Sequence, residues 1–185
     1  MLFDLDKVND LLQHMFKGLL GYFTIYIAIQ KIIKIDGVDG SIEARDYPHG
    51  LVAEGEPGHD DIKICEDTNG DGRADKFTVF ADKLNLATSL VFVNGGIMVS
   101  EARHMLFLKD TDGDDHADVR QAILPGWGTG DTHAMQSNLG RGFDNWLYGA
   151  VGYSNFRGNV GGKDIQFGQG VFRFRADGSA LEFLH

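Results

Sequence analysis

The chain has 185 residues, of which 43% are hydrophobic and 24% are charged, so its composition fits a folded domain and argues against general disorder. Its formal net charge of -10 argues against nucleic acid as a partner, because binding phosphates requires clustered lysine and arginine. The single cysteine, Cys65, excludes an internal disulfide and cysteine-held zinc or haem, and 25 glycines predict many tight turns between short strands.

The first predicted element, over residues 1–35, is a helix, because its apolar residues recur at helical spacing. Its apolar run from Leu19 to Ile29 is shorter than the roughly 20 residues that cross a bilayer. Acidic residues such as Asp4 and Asp6 stand where a signal peptide has basic ones. We expect a packing helix or an atypical start joined to a truncated domain, with a membrane anchor as the alternative.

From residue 42 onward, short apolar or alternating runs bounded by glycine and aspartate predict strands and turns. Asn94-Gly95 predicts a tight hairpin turn, because both residue types readily adopt positive φ. The predicted strands around this hairpin form one four-stranded unit over 89–93, 97–100, 105–108 and 119–124. A weaker copy spans 138–148, 172–175 and 180–184, and an incomplete one spans 42–46, 62–66 and 76–80.

The same acidic loop occurs twice, as DTNGDGRAD at 67–75 and DTDGDDHAD at 110–118. The two loops start 43 residues apart, which matches the length of one four-stranded propeller blade. We therefore predict an all-β fold over residues 42–185, a partial β-propeller of about two and a half four-stranded blades, preceded by the N-terminal helix. Such a piece does not close a ring, so we expect missing blades or self-association to cover its open faces.

Each acidic loop presents oxygen ligands at alternate positions, the pattern that calcium prefers. The predicted ligands of the first loop are Asp67, Asn69, Asp71, Asp75 and the carbonyl of Arg73. Those of the second loop are Asp110, Asp112, Asp114, Asp118 and the carbonyl of His116. An EF-hand is excluded, because Thr78 and Gln121 stand where it has a bidentate glutamate. Plain acidic turns held by side-chain hydrogen bonds to the backbone are the alternative.

The two loops differ at their sharp turn, where the first has Gly72 and the second has Asp115. A side chain at such a position costs about 1 kcal/mol of backbone strain. We therefore predict that the first loop is the better formed calcium site and the second the weaker one.

The segment from Pro125 to His133 connects two of the predicted four-stranded units and is rich in glycine. Its Gly-x-Gly spacing is not a dinucleotide fingerprint, because no helix follows. Asp131 and His133 form a candidate pair in which the carboxylate orients an imidazole base, an arrangement suited to taking a proton from an alcohol. A purely structural polar turn is the alternative.

Several motifs in fixed order carry a resemblance to a known family. They are FTVFADKLNLATSLVFVNGGIMV, the second acidic loop, GWGTGDTHAMQSNL, WLYGAVGYSNF and FGQGVFRFRADGSALEFL. Residues 42–185 resemble the membrane-bound dehydrogenase domain common in planctomycetes and verrucomicrobia, which is similar in turn to the glucose/sorbosone dehydrogenase propellers. One departure is GFDN at 142–145, where that family usually has a GPDG turn.

The resemblance implies a six-bladed propeller, export to the periplasm or the extracellular space, and oxidation of a sugar or other alcohol. It further implies pyrroloquinoline quinone as hydride acceptor and an external electron acceptor. His133, ahead of Asn138, matches the position of the catalytic base, and Asn138 is a candidate cofactor ligand beside it. Arg45, Asp46 and His49 lie in a family-like loop, RDYPHG, and are expected to line the same channel mouth.

Three functions remain open on the sequence. The first is a quinone-dependent sugar or alcohol dehydrogenase domain with His133 as base. The second is a non-catalytic, calcium-stabilised propeller that binds glycans or proteins. The third is an inactive fragment of such a propeller.

Overall fold

The computed structural model describes residues 42–47 and 50–185, and the predicted helix over residues 1–35 lies outside them. The described part is all-β and contains no α-helix, which confirms the predicted fold class at this level. Within these ranges no helix is long and apolar enough to cross a membrane. The strands are β1 (Ile42–Glu43), β2 (Asp60–Glu66), β3 (Lys76–Leu84), β4 (Ser89–Val93), β5 (Gly96–Glu101), β6 (His104–Lys109), β7 (Val119–Ile123), β8 (Gln136–Arg141), β9 (Leu147–Val151), β10 (Phe156–Val160), β11 (Lys163–Phe167), β12 (Gly170–Phe174) and β13 (Leu181–Phe183).

The strands form four antiparallel sheets. The first sheet has the order β1-β2-β3, and the second is the simple meander β4-β5-β6-β7. The third has the order β13-β12-β9-β8, and β10 and β11 form a separate hairpin. The predicted four-stranded unit over 89–124 is confirmed as the second sheet, and the weaker copy as the third. The hairpin of β10 and β11 has no counterpart among the predicted strands.

The hairpin between β4 and β5 shows how the local sequence sets the register of the second sheet. Asn94 and Gly95 have φ values of 52° and 74°, so both adopt the left-handed conformation that a tight hairpin turn requires. The strands then pair from Val93 with Gly96 outward to Ser89 with Ser100. The predicted turn at this position is therefore confirmed.

The second sheet is buried on both faces. Successive side chains of a strand point to opposite faces, so Ile97 and Val99 pack with Leu84 of the first sheet. Met98, between them, packs in a different cluster with Phe172 of the third sheet. Each fully buried side chain of this kind stabilises the fold by about 1.5–3 kcal/mol relative to an exposed one. The second sheet therefore forms the rigid support of the loops at its two ends.

A buried carboxylate ties the start of the described chain to the linker before β4. The Asp60 side chain is 0% exposed, and its Oδ1 accepts the N–H groups of Arg45 at 2.6 Å and Asp46 at 2.9 Å. Its Oδ2 accepts the N–H group of Ala87 at 2.9 Å. These bonds fix the linker between β3 and β4 against residues far away in the sequence.

Candidate metal loops and a polar cleft

The second acidic loop, residues 110–118, joins β6 to β7 and is organised by its first carboxylate. Oδ1 of Asp110 accepts the N–H group of Gly113 at 2.6 Å, and Oδ2 accepts that of Asp115 at 3.0 Å. Oδ2 of Asp118 accepts the N–H group of Thr111 at 2.7 Å. Carboxylate oxygens of Asp110, Asp112 and Asp118 lie within 4.8 Å of one another. The loop thus gathers three acidic side chains within the reach of one cation.

The first acidic loop, residues 67–75, joins β2 to β3 and repeats the hydrogen bonds of the first and last carboxylates. Asp67 accepts the N–H groups of Gly70 at 2.6 Å and Gly72 at 2.8 Å. Both carboxylate oxygens of Asp75 accept from Thr68, at 2.9 Å from its N–H group and 2.9 Å from its hydroxyl. The first and last carboxylates of the two loops therefore have equivalent roles.

The middle residues of both loops also follow one pattern. Asp71 accepts the N–H group of Arg73 at 2.8 Å, and Asp114 accepts that of His116 at 2.8 Å. Oδ1 of Asn69 accepts the N–H group of Asp71 at 2.9 Å. Such bonds from side chain to backbone also occur in plain acidic turns, which are the alternative to a calcium site. Each carboxylate oxygen, however, keeps further lone pairs that a cation could use.

Hydrogen bonds favour the ionised form of three loop carboxylates, Asp67, Asp110 and Asp118. The N–H group of Gly72 is the main cause that holds the pKa of Asp67 below its usual value. The N–H group of Thr111 does the same for the pKa of Asp118. Burial opposes ionisation of Asp110, yet bonds from Gly113 and Asp115 hold its pKa below the usual value. The loops are therefore anionic at neutral pH, which suits a hard divalent cation.

The residue at the sharp turn distinguishes the loops. Gly72 has φ of 87°, and Asp115 has φ of 71° at the matching position. Both positions are left-handed, a conformation that is strained for a residue with a Cβ, so the strain predicted at Asp115 has a structural basis. Whether the first loop binds calcium more tightly stays a prediction.

The second loop also joins two sheets. The N–H group of Ala117 donates to the carbonyl of Phe80 in β3 at 2.8 Å. Just beyond the loop, the Arg120 guanidinium donates to the carbonyl of Asp82 at 2.8 Å. Ordering this loop therefore stabilises the contact between the first and second sheets.

The predicted Asp131–His133 pair forms, but it is open to solvent. Nδ1 of His133 lies 3.4 Å from Oδ1 of Asp131, and the two side chains are 63% and 43% exposed. The same oxygen accepts the N–H group of His133 at 2.9 Å. The edge of the imidazole contacts the ring of Tyr47, with 5.2 Å between centroids. Tyr47 was not among the predicted site residues, although it lies in the predicted RDYPHG loop.

Of the four predicted cofactor ligands, Arg45, Asp46 and Asn138 lie among the described residues, and the first two pair with residues other than His133. The Arg45 guanidinium pairs with Glu43 at 2.7 Å and with Asp61 at 2.8 Å. Asp46 pairs with Nδ1 of His59 at 2.5 Å. Asn138 is exposed and has a φ of 55°. It lies at an irregularity in the strand pairing of β8. His49 lies outside the described residues.

A polar cleft of about 490 Å³, which the sequence did not predict as a site, lies at the other end of β6. It is lined by residues 53–56, Lys83, Asn85, residues 101–104, residues 125–127 and Thr129. At its wall, Nε2 of His104 lies 3.0 Å from Oε2 of the buried Glu101. These residues face each other across the turn between β5 and β6. The sequence signal for this pair was an acidic residue and a histidine three positions apart, on either side of a predicted turn.

The linker before β4 holds Glu101 in place. Oε1 of Glu101 accepts the N–H group of Asn85 at 2.7 Å, and the N–H group of Ala102 donates to the carbonyl of Asn85 at 3.0 Å. Nε2 of Gln136 donates to the carbonyl of Glu101 at 2.6 Å. One carboxylate oxygen thus anchors the turn while the other orients the imidazole of His104.

Two side chains of the cleft have buried polar atoms without a hydrogen-bond partner among the described residues. They are Oδ1 of Asn85 and the indole Nε1 of Trp127. Asn85 is 8% exposed and Trp127 is 4% exposed. Buried polar atoms are nearly always paired, so these two are exceptions to the hydrogen bonding of the described residues.

Comparison with known proteins gives one match. The family DUF7133, described as a domain of unknown function, matches residues 41–185. No curated protein and no solved structure matches the chain.

Proposed function

We propose that this chain, which belongs to the DUF7133 family, is part of a calcium-braced β-propeller that acts as a sugar or alcohol dehydrogenase domain. The observation that carries the proposal is the repeated pairing of an antiparallel sheet with an acidic hairpin loop, at a spacing of 43 residues. Neither feature alone is specific, but their common period is typical of propeller blades.

Contacts between successive sheets support the propeller. β4 and β8, the first strands of the second and third sheets, contact each other. The N–H group of Leu139 in β8 donates to the hydroxyl of Ser89 in β4 at 2.8 Å. In a propeller the first strands of neighbouring blades lie side by side around a central channel. Further blades, from other sequence or from another copy, would then complete the ring.

Calcium in the acidic loops is proposed as a brace, not as a catalyst. The loops supply carboxylate and carbonyl oxygens only, and the second loop links β3 to β7 through Ala117 and Arg120. A bound cation would cancel the repulsion between its carboxylates and fix that link. Such a site would be filled where calcium is abundant, which is in keeping with export.

His133 is the proposed base that takes a proton from the substrate. Its imidazole is exposed and would accept the hydroxyl proton of an alcohol, while Asp131 stabilises the resulting imidazolium. The ring of Tyr47 limits the orientations that the imidazole can take. This assignment makes the exposed pair the site of proton transfer.

The residues proposed to hold pyrroloquinoline quinone do not fit it. The quinone is a tricarboxylate and needs free cationic donors, but Arg45 is already paired with Glu43 and Asp61. Asp46 adds a negative charge and is paired with His59. We therefore derive no step through the quinone from these residues.

Dye-linked oxidation of aldoses and polyols, with and without added quinone and calcium, tests the dehydrogenase. We expect turnover that requires an added acceptor and falls at least about 100-fold in His133→Ala, the usual contribution of a general base. His116→Ala, in the second acidic loop, is the matched control. Turnover unchanged by His133→Ala would remove the proposed base.

A non-catalytic, calcium-braced binding module is the second candidate. Hydrogen bonds within each acidic loop hold its carboxylates, whereas the His133 ring is 63% exposed and lies 3.4 Å from Asp131. This contrast favours the binding module. Absence of oxidation under every condition, together with saturable sugar binding and calcium-dependent stability, would select this function.

A further inference from the structure

We propose that a pocket lined by Arg141 and Arg175 binds a small oxyanion, that is, a carboxylate or a phosphate group. This arginine pocket has a volume of about 230 Å³ and lies between the β4–β5 turn, the β8–β9 turn and the turn that follows β12. It is at the opposite end of β8 from His133, because Arg141 ends that strand and His133 precedes it. Binding there is independent of the proposed dehydrogenase activity.

The two arginines converge on one residue. Nη2 of Arg141 donates to Oδ1 of Asn145 at 3.3 Å, and Nη1 of Arg175 donates to the backbone carbonyl of Asn145, also at 3.3 Å. Two positive charges held this close repel each other, and an anion between them offsets the repulsion. Both bonds use neutral acceptors, so they leave the charges of the two guanidiniums without a counter-charge.

Arg173, on the same sheet, shows the usual alternative. Its guanidinium pairs with Glu182 at 2.7 Å and with Asp144 at 3.2 Å. Neither Arg141 nor Arg175 forms an ion pair with another described residue, although the chain has 27 acidic residues against 17 lysines and arginines. The two arginines are therefore available to an external anion.

Stacking on Trp146 orients the Arg175 guanidinium. Its Cζ atom lies 4.1 Å from the centroid of the indole. This contact uses the flat face of the guanidinium, so the N–H groups in its plane remain free to donate sideways. A planar pair of N–H donors matches two oxygens of a carboxylate or phosphate, which favours an oxyanion over a halide ion.

The floor of the arginine pocket is apolar and belongs to the core. Val93 and Leu147 line it, and they are 8% and 1% exposed in the cluster between the second and third sheets. An apolar floor strengthens the attraction between the arginines and an anion, because it lowers the local dielectric constant. The volume is below the roughly 300–1,000 Å³ of drug-sized sites, so the pocket suits a small anion or a single acidic group.

Asp177 contributes an opposing charge to the lining. Its Oδ1 accepts the N–H group of Ser179 at 3.0 Å, and it forms no ion pair with either arginine. The described lining therefore carries two positive charges and one negative charge, a local excess of positive charge on a chain whose net charge is -10.

Two-dimensional NMR of the N–H groups tests the proposal on the full chain in calcium-free buffer. Sodium phosphate or sodium acetate replaces sodium chloride at constant ionic strength, so that screening stays the same. We expect saturable shifts of the Arg175 Nε–H signal and of the indole signal of Trp146, on which that guanidinium lies. The indole of Trp127, which is 4% exposed, is the internal reference and should not shift.

Charge variants locate the binding. Arg141→Gln combined with Arg175→Gln should weaken the affinity for the anion more than tenfold, because two charge-assisted hydrogen bonds are lost. Arg157→Gln is the matched control, since it removes one positive charge at an exposed position of β10 and should leave the dissociation constant unchanged. Asp177→Asn should tighten binding by up to about fivefold, because it removes the opposing charge.

A milder variant covers the case in which the double variant does not fold. Arg141→Lys keeps the positive charge at an exposed position and removes the planar pair of donors, so we expect about tenfold weaker binding. Shifts that do not saturate, or equal weakening in Arg157→Gln, would overturn the arginine pocket as a site. The two guanidiniums would then attract an adventitious ion only.

Discussion

The two ends of β6 are built in opposite ways. Beyond Lys109, the second acidic loop is held by side chains that bond to backbone groups at most seven residues away, as Asp118 bonds to Thr111. Before His104, the cleft end is held by contacts across long stretches of sequence, as Gln136 bonds to Glu101. The carboxylate bonds of the acidic loops are therefore local, although Ala117 of the second loop also bonds to Phe80, whereas the cleft exists only when the sheets have assembled.

Removing the buried carboxylate of Asp60, which holds the linker before β4, should have the largest effect on stability. Asp60→Ala leaves the N–H groups of Arg45, Asp46 and Ala87 without their acceptor. We expect a loss of about 3–5 kcal/mol in the free energy of unfolding, measured by urea titration. Asp164→Ala, an exposed aspartate of the β10–β11 hairpin, should lose much less. Equal losses would contradict the role given to Asp60.

Calcium should stabilise the end of β6 that carries the acidic loop. At a free concentration of one hundred times its dissociation constant, one site adds about 2.7 kcal/mol to the free energy of unfolding. We expect the thermal midpoint to rise with calcium and not with magnesium. Asp67→Asn combined with Asp110→Asn should abolish the rise, because each loop loses its first carboxylate. A rise that persists in this variant would place the cation elsewhere.

Glu101→Ala should have a moderate effect on the cleft end. It leaves the N–H group of Asn85 without the carboxylate that accepts it, which costs about 1–3 kcal/mol. The calcium-induced rise in the thermal midpoint should remain, because the acidic loops are held locally. Loss of the calcium response in this variant would show that the two ends are coupled.

The same contrast between local and distant contacts decides what the sequence could reveal. The hairpin at Asn94-Gly95 and the bonds within the acidic loops follow from neighbouring residues, so both were predictable. The hairpin of β10 and β11 was missed, although Gly161-Gly162, with φ of 59° and 81°, is a local turn signal. The cleft as a whole could not be predicted, because most of its residues meet only through sheet assembly, and only the Glu101–His104 pair across the β5–β6 turn was a local signal.

The sharp turns of the acidic loops offer a smaller, reciprocal test. Asp115→Gly should raise the free energy of unfolding by up to about 1 kcal/mol in calcium-free buffer, because it relieves a left-handed aspartate at φ of 71°. Gly72→Asp should lower it by a similar amount. If strain also limits binding, Asp115→Gly should tighten the calcium affinity of the second loop. Changes of the same sign in both variants would contradict the strain argument.

Acid should produce the smallest effect at the acidic loops. Asp67 and Asp118 have pKa values held below the usual one by the N–H groups of Gly72 and Thr111. A lowered folded-state pKa contributes stability above the unfolded value, about 3.9 for aspartate, and loses it as pH falls through the folded value. In calcium-free buffer, stability should therefore decline below about pH 4.

The charge-neutral variants isolate that decline from general acid unfolding. Asp67→Asn combined with Asp118→Asn should have a shallower fall in the free energy of unfolding between about pH 4 and pH 2, because the groups that take up protons are gone. Asp164→Asn, outside the loops, should leave the slope closer to that of the unmodified chain. Asp118 is exposed and Asp67 is partly exposed, so salt should reduce the difference. A slope unaffected by the double substitution would mean that protonation outside the loops, for example at Asp144 or Asp177, sets the acid limit of the fold.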